Sequence, residues 1–524
     1  MFKLKPSLLL PLLFYFFINS TGYAQISSSE IDQLVENAME KFNVAGVAVG
    51  IVKDGKIIYT RGYGVKSIET KDAVNEHTGF AIASNTKAFT TNALAILEEE
   101  GKISWQDKVV DIIPEFKMYD PYVTANFNIQ DLLTHRSGLG LGAGDLMIFP
   151  DSTDFTIKDI LANFQYFKPE SAFRTKYDYD NLLYIVAGEV IARVSGMSWE
   201  KFVKNRILEP LDMDNSYSTL YDVKDRSNLA TPHSTDTGTM RTAEYDTFNS
   251  ENLNGAAASI ISNVDDLCNW MLVHLNHGKY GENLEHQLFS EKNQREMWKI
   301  HTTLSTNRNP RYNSHFRGYG LGWNLSDIKG NMLVTHSGAL TGMLSKTVMI
   351  PDLNLGVVIL TNTWIGGAYL YSAVSQTIVD SYLGLDNFDW IEYFYNSQQK
   401  SQSSADSVVT EVWKTVNATS NETVTVTDFI GVYKDNWFGN VEVFINNDQL
   451  WFKCYRSPKL NGPMYYYKAN TFAIKWLSQD MNGDAFAIFS FDEEGKAESI
   501  RMKGISPNID FSFDFHHLDL KRVY

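Results

Sequence analysis

Residues 78–101 read TGFAIASNTKAFTTNALAILEEEG, and the rest of the chain can be placed relative to two of them, Ser84 and Lys87. The alternation around Phe80 and Ile82 has the period of a short strand, and Phe89, Ala93, Ile96 and Leu97 then recur at helical spacing until Gly101 stops the run. Ser84 therefore falls where an extended segment turns into a buried helix. Residues three apart on a helix are neighbours, so the Ser84 hydroxyl and the Lys87 amine can meet on one face. Burial in so apolar a helix disfavours the charged amine and makes it a proton acceptor for the hydroxyl.

Spacing alone does not single out this pair. Ser-x-x-Lys also occurs at Ser198/Lys201, Ser326/Lys329 and Ser397/Lys400. Ser198 follows Gly196 and reads as a helix N-cap, Ser326 reads as part of a polar turn ending at Gly330, and Ser397 reads as the start of a Gln/Ser-rich linker. Only Ser84 has the strand, turn and buried helix that suit a nucleophile.

Around this stretch the chain has 524 residues, 44% apolar and 13% aromatic, enough for more than one core. Residues 1–24 carry Lys3 and Lys5, then LLLPLLFYFF, and reach Gly22-Tyr23-Ala24, the pattern of a cleavable signal peptide that predicts export to the periplasm or medium without a stable membrane anchor. The net charge of −16, or −18 once Lys3 and Lys5 leave, disfavours nucleic acid and anionic lipid as partners. Cys268 on a helical pattern and Cys454 on a strand pattern do not suggest a disulfide, and the eleven histidines show no ligand spacing, so neither metal nor cofactor is expected.

In chain order, Ile31, Leu34, Val35, Ala38 and Phe42 mark an amphipathic helix ending near Asn43, and VAGVAVGIV and KIIYTRGYG flank a hairpin turn at Asp54-Gly55. Helical spacing dominates residues 84–275. Strand patterns return at residues 319–324, 332–335, 344–350 and 355–362, followed by a helical pattern over 368–383. This order predicts an α+β domain over residues 25–395, one antiparallel sheet built from both termini with a helical region inserted. Residues 396–423, opening NSQQKSQSSADS, read as a linker, and residues 424–524 as a small all-β domain, a sandwich or partial barrel, with turns at Asn447-Asp448, Asn461-Gly462, Asn482-Gly483 and Glu494-Gly495.

Acyl transfer needs more than a serine and a lysine. Tyr179-Asp180-Asn181 is the only Tyr-x-Asn; its phenol can relay the serine proton, and the Asn181 amide can hold the Lys87 amine or a substrate carbonyl. His336-Ser337-Gly338 is the only His-x-Gly, at the end of the strand pattern MLVT, where a glycine lets backbone approach a ligand.

Together and in this order the three motifs resemble those of the serine β-lactamase and penicillin-binding superfamily, in particular its class C β-lactamase-related branch. The resemblance spans about residues 31–383 and extends to IQDLLTHRSGL around His135 and Gly138, AASIISNVDDL around Asp265, and YGLGW at residues 319–323. The tail resembles the lipocalin-like domain appended to some of these enzymes. The resemblance implies that Ser84 attacks a carbonyl, Lys87 and Tyr179 share its proton, Asn181 orients Lys87 and substrate, and the N–H groups of Ser84 and Ala339, just past Gly338, bind the oxyanion, while His336 faces the far end of the substrate.

Two departures bear on substrate. His336 stands where many β-lactamases have lysine, which removes a fixed positive charge, and Asp180 replaces a frequent small serine, which predicts added negative charge near the site. Three readings follow: an exported serine hydrolase cleaving an amide, a peptide (D-residues included) or an ester of a small-molecule or peptide substrate; a class C-type β-lactamase; and a penicillin- or peptide-binding protein that does not turn over. Intact Ser84, Lys87 and Tyr179 favour the first two. Because Trp437 and Phe438 lie in a turn, where a small barrel needs no aromatic pair, the β domain is expected to dock near the mouth of the Ser84 pocket and narrow its substrate range. The residues 140–149 loop is expected to shape specificity.

Overall fold

A computed structural model of the chain describes residues 25–523 except 237, 244–252, 307–308, 420–423 and 480–481, so the expected signal peptide lies outside the described residues. Ser27 caps the first helix, Ser28–Phe42, in a reciprocal box with Glu30, and Asn43 closes it in the left-handed conformation. The hairpin follows: Asp54 and Gly55 both take positive φ, 50° and 77°, as the two-residue turn requires.

Its strands open an eight-stranded sheet whose order is Lys56–Gly64, Gly46–Lys53, Leu355–Thr361, Met343–Ile350, Asn331–Leu340, Asn324–Ile328, Arg317–Tyr319 and Thr302–Thr303. All neighbours are antiparallel, and Val47 lies opposite Thr361, so the two ends of the domain meet side by side in one sheet, one strand in from its edge. Strand Gly46–Lys53 is buried along almost its whole length because both faces are covered. Val47, Val49 and Ile51 pack with the helices Ser28–Phe42 and Gly366–Tyr382; Ala48 and Val52 pack on the other side, with the helix Val264–Leu275 and the inserted helical region. Cys268, on that helix, and Cys454, at the end of the strand Gln449–Cys454, are both buried and free.

Residues 431–522 form a closed barrel of eight strands rather than a partial one. The last strand, Leu520–Arg522, closes it by pairing with both Gly431–Asp435 and Ala497–Gly504. Asn447 and Asp448 form the expected tight turn, whereas Asn461-Gly462 begins the strand Asn461–Lys468 instead of turning.

Residues 396–419 of the stretch read as a linker are helical, the greater part of a single helix Trp390–Thr419, and 420–423 lie outside the described residues. The helix contains no glycine or proline, and its buried positions Trp390, Gln398, Ala405, Val412 and Val416 recur at intervals of eight, seven, seven and four residues, a narrow stripe that polar composition concealed. Trp390 stacks on Tyr312 of the first domain, and Trp413 meets Tyr465 of the barrel. Ser397 is therefore a mid-helix residue. Ser326 is likewise in a strand, Asn324–Ile328, and only Lys329 and Gly330 turn. Ser198 does cap its helix, accepting the Lys201 N–H at 3.3 Å.

Candidate active site

The strand expected at Phe80 is two residues long, Phe80–Ala81, and a single 3-10 turn, Ala83–Asn85, separates it from the helix Thr86–Glu99. Ala83 takes φ 49°, a left-handed value that costs a non-glycine residue about 1 kcal/mol or more and turns the chain sharply just before the serine. Asn85 donates to Ser345 Oγ at 2.7 Å, and Ser345 donates to the Ile82 carbonyl at 2.6 Å. The turn carrying Ser84 is thus tied to the strand Met343–Ile350. Within the turn the Asn85 N–H donates to the Ile82 carbonyl at 3.2 Å.

Lys87 is fully buried and donates to three oxygens: Ser84 Oγ at 3.1 Å, Asn181 Oδ1 at 2.7 Å and the Ala257 carbonyl at 3.1 Å. Burial lowers its pKa to about 7, against the opposing pull of Asp145. A neutral amine has two hydrogens and one lone pair. The Asn181 and Ala257 oxygens can only accept, so they take the hydrogens and the lone pair falls to Ser84, the one partner that can donate.

Tyr179 lines the cavity beside Ser84, and burial pushes its phenol well above the usual range against the opposing effect of Ser84, which favours the protonated form. The ring lies against His135, centroids 4.1 Å apart, and His135 Nδ1 accepts the Asp180 N–H at 3.1 Å. Asp180 itself turns away from the cavity. Its carboxylate accepts from Ser137 Oγ at 2.5 Å, and burial raises its pKa strongly, so it does not present the negative charge expected beside the substrate.

The strand Asn331–Leu340 runs through His336-Ser337-Gly338 instead of ending before it. Its pairing with Asn324–Ile328 stops at Thr335, which leaves residues 336–340 with a strand neighbour on one side only. Gly338 has a steric reason: a Cβ there would sit 2.2 Å from the Ile82 carbonyl and 2.9 Å from Ser84 N. His336 lies within 2.7 Å of the Ser337 carbonyl through Nδ1, which must therefore donate, and its Nε2 accepts from the Tyr319 hydroxyl at 2.9 Å. Both bonds suit the neutral ring, and burial with the Lys87 charge lowers its pKa to about 3.

Ser84, Tyr179, Asn181, His336, Gly338 and Ala339 line one cavity of about 300 Å³, with Lys87 bonded to Ser84 and Asn181 from behind. Ile148 and Phe149 bring the loop at 140–149 to its wall, and Asp510, Phe511 and Ser512 bring the barrel. Phe511 meets the Tyr179 ring edge to face at 5.8 Å. Trp437 and Phe438 face the first domain, as expected, against Phe167 and Phe155. Arg456 adds bonds to Asp154 at 2.7 Å and to Asp159 at 3.0 and 3.1 Å.

Sequence reading missed Asn85, Asp145, Phe511 and Ser512. Asp145 had a signal, being the only charged residue between Arg136 and Asp151. Glu170, His516 and His517 are the one described cluster with metal-type donors close together, but none of them lines the cavity, and His517 is taken up by Glu170 and Asp514 at 3.1 Å each.

Residues 31–372 match the Beta-lactamase family and residues 416–522 a domain of unknown function (DUF3471). "Unguisins hydrolase ungD'" of Aspergillus campestris is 26% identical over 381 residues, 70% of this chain and 68% of that protein. "Protein flp" of Staphylococcus aureus is 28% identical over 341 residues, 64% of this chain and 63% of its own length. The octameric penicillin-binding protein homologue from Pyrococcus abyssi superimposes with a TM-score of 0.61 over 94% of this chain and 100% of that one, at 19% identity. The penicillin-binding protein from Bacillus halodurans gives 0.53 over 65% and 98%, at 21% identity. These two likenesses concern the fold.

Proposed function

The chain belongs to the beta-lactamase family and is a hydrolase of the acyl-enzyme type, and from that premise we propose that it is an exported enzyme cleaving a peptide, amide or ester bond through Ser84. The observation that carries the reading is the buried Lys87 amine 3.1 Å from Ser84 Oγ, with its other two contacts made to pure acceptors.

In this mechanism Ser84 Oγ attacks the substrate carbonyl and its proton passes to the Lys87 lone pair. The oxyanion is held by the N–H groups of Ser84 and Ala339, each donor of this kind contributing ~3 kcal/mol. Tyr179 keeps its own proton in the resting site and hands one to the leaving nitrogen or oxygen, being made good from Lys87. The C–N or C–O bond breaks and the acyl group stays on Ser84. Water then attacks the ester, gives a proton to Lys87, and Ser84 Oγ leaves with one. Asn181 holds the amine throughout.

Neutral His336 offers no fixed cation to a substrate carboxylate, which favours esters and peptides over penicillins. A fluorescent phosphonate should label the wild-type protein, and nitrophenyl esters or D-aminoacyl amides should turn over faster than nitrocefin. Faster opening of nitrocefin than of any ester or amide would overturn the substrate assignment, and no labelling would overturn the hydrolase reading.

A further inference from the structure

Asp145 sits on the loop between His135 and the short helix Ile157–Asn163, fully buried, and touches the catalytic amine only through an intermediary. Asn181 Nδ2 donates to Asp145 Oδ2 at 2.8 Å while Asn181 Oδ1 accepts from Lys87 at 2.7 Å. An amide can be turned either way, and the carboxylate decides this one: nitrogen toward Asp145, oxygen toward the amine. Without an acceptor at that place, the flipped amide would offer Lys87 a donor.

The same carboxylate oxygen accepts a second bond, from Ser512 Oγ of the barrel at 2.8 Å. Asp514, two residues on, accepts the N–H groups that flank Asp145, from Gly144 at 2.7 Å and Leu146 at 2.9 Å. Gly142 is packed under Phe511, where a Cβ would lie 2.9 Å from both its ring and its carbonyl. The loop that carries Asp145 is therefore clamped by the second domain. Asp145 Oδ1, buried, has no hydrogen-bond partner among the described residues.

We propose that Asp145 is a positioning residue of the Ser84 site and that the barrel, through Ser512 and Asp514, is part of the device that presents Lys87 to Ser84. The inference rests on the hydrolase reading above. It gives the barrel a role in the chemistry, beyond forming a wall.

The charges around the pair set the sign of the effect. Burial above all, and then Asp514 from the barrel, hold the Asp145 carboxyl well above the usual carboxylate range; the bonds from Asn181 and Ser512 and the charge of Lys87, from the helix Thr86–Glu99, pull the other way. Asp180 and Tyr179 feel the Asp145 charge, and neutral His135 and His336 face Lys87. In proportion to its ionisation Asp145 raises the Lys87 pKa against the larger lowering by burial, so removing the carboxyl lets the amine lose its proton at lower pH. Ser512 stabilises ionised Asp145, so removing its hydroxyl acts in the same direction.

The test is the pH dependence of Ser84 labelling by a fluorophosphonate, measured on the full chain. Asp145→Asn keeps an acceptor for Asn181 and should move the acidic limb to lower pH. Ser512→Ala should move it the same way by less, and Ser512→Thr should restore it. A limb unchanged in both Asp145→Asn and Ser512→Ala, with labelling intact, overturns the proposal. A shift in Asp145→Asn with none in Ser512→Ala overturns the barrel's part in it. Wild-type protein that takes no label overturns the hydrolase reading, and the inference with it.

Discussion

At the scale of single residues the site depends on protons held in fixed places. Ser84 begins a helix and is half-buried, so Ser84→Ala should cost less than about 1 kcal/mol of stability while lowering turnover by ~10⁴-fold or more. A melting curve and an ester assay measure the two effects, and full labelling of the alanine variant would disprove the assignment. With the Lys87 pKa near 7, kcat/KM should rise as pH increases through that value, because the amine must lose its proton to act as the base. Lys87→Arg stays protonated and should be inactive across the range. His336 is neutral and bonded on both ring nitrogens, so His336→Lys adds charge to the cavity and should improve nitrocefin acylation relative to ester turnover. An unchanged ratio of the two rates would show that the missing cation does not set the preference.

Among elements, the strand Asn331–Leu340 and the turn Ala83–Asn85 must lie almost in backbone contact, and Gly338 is what permits it. In Gly338→Ala the new methyl would meet the Ile82 carbonyl and Ser84 N, neither of which can move without carrying the nucleophile along. The expected result is a loss of kcat/KM of roughly 10²-fold with about 1–3 kcal/mol of destabilisation, read from kinetics and urea unfolding. Wild-type kinetics in that variant would mean the strand is free to give. The same strand shows how far local pattern reaches. MLVT was legible as strand, but its continuation through HSGAL was not, because serine and glycine have low strand propensity and only pairing with Met343–Ile350 extends it.

For the whole molecule, the barrel is seated by Arg456 on Asp154 and Asp159, by Trp437 on Phe167 and by the helix Trp390–Thr419, which runs from one core to the other. A cut near Gln402 would sever that helix and expose its apolar stripe. It should also release the Asp514 clamp, so that activity falls even on the smallest ester. Loosening the seat in the full chain is the cleaner perturbation: Arg456→Ala should raise relative rates on bulky substrates by freeing the wall at Phe511. A size series of acyl esters measures this, and unchanged relative rates would show that the wall does not respond to the seat.

The sequence by itself located the Ser84/Lys87 pair proposed as nucleophile and base, and the other two motifs, because each is a short pattern whose geometry is local: three residues on a helix, a turn before a helix, a glycine in a strand. It determined the α+β order for the same reason, since hydrophobic period and turn residues are written within each element. Only the tertiary structure decided what lies across the gaps. Asp145 reaches Ser512 across 367 residues and Asn181 across 36, and Asp180 faces Ser137 rather than the cavity. A carboxylate's partner, and therefore its charge, is set by packing between elements distant in the chain, which no local period records.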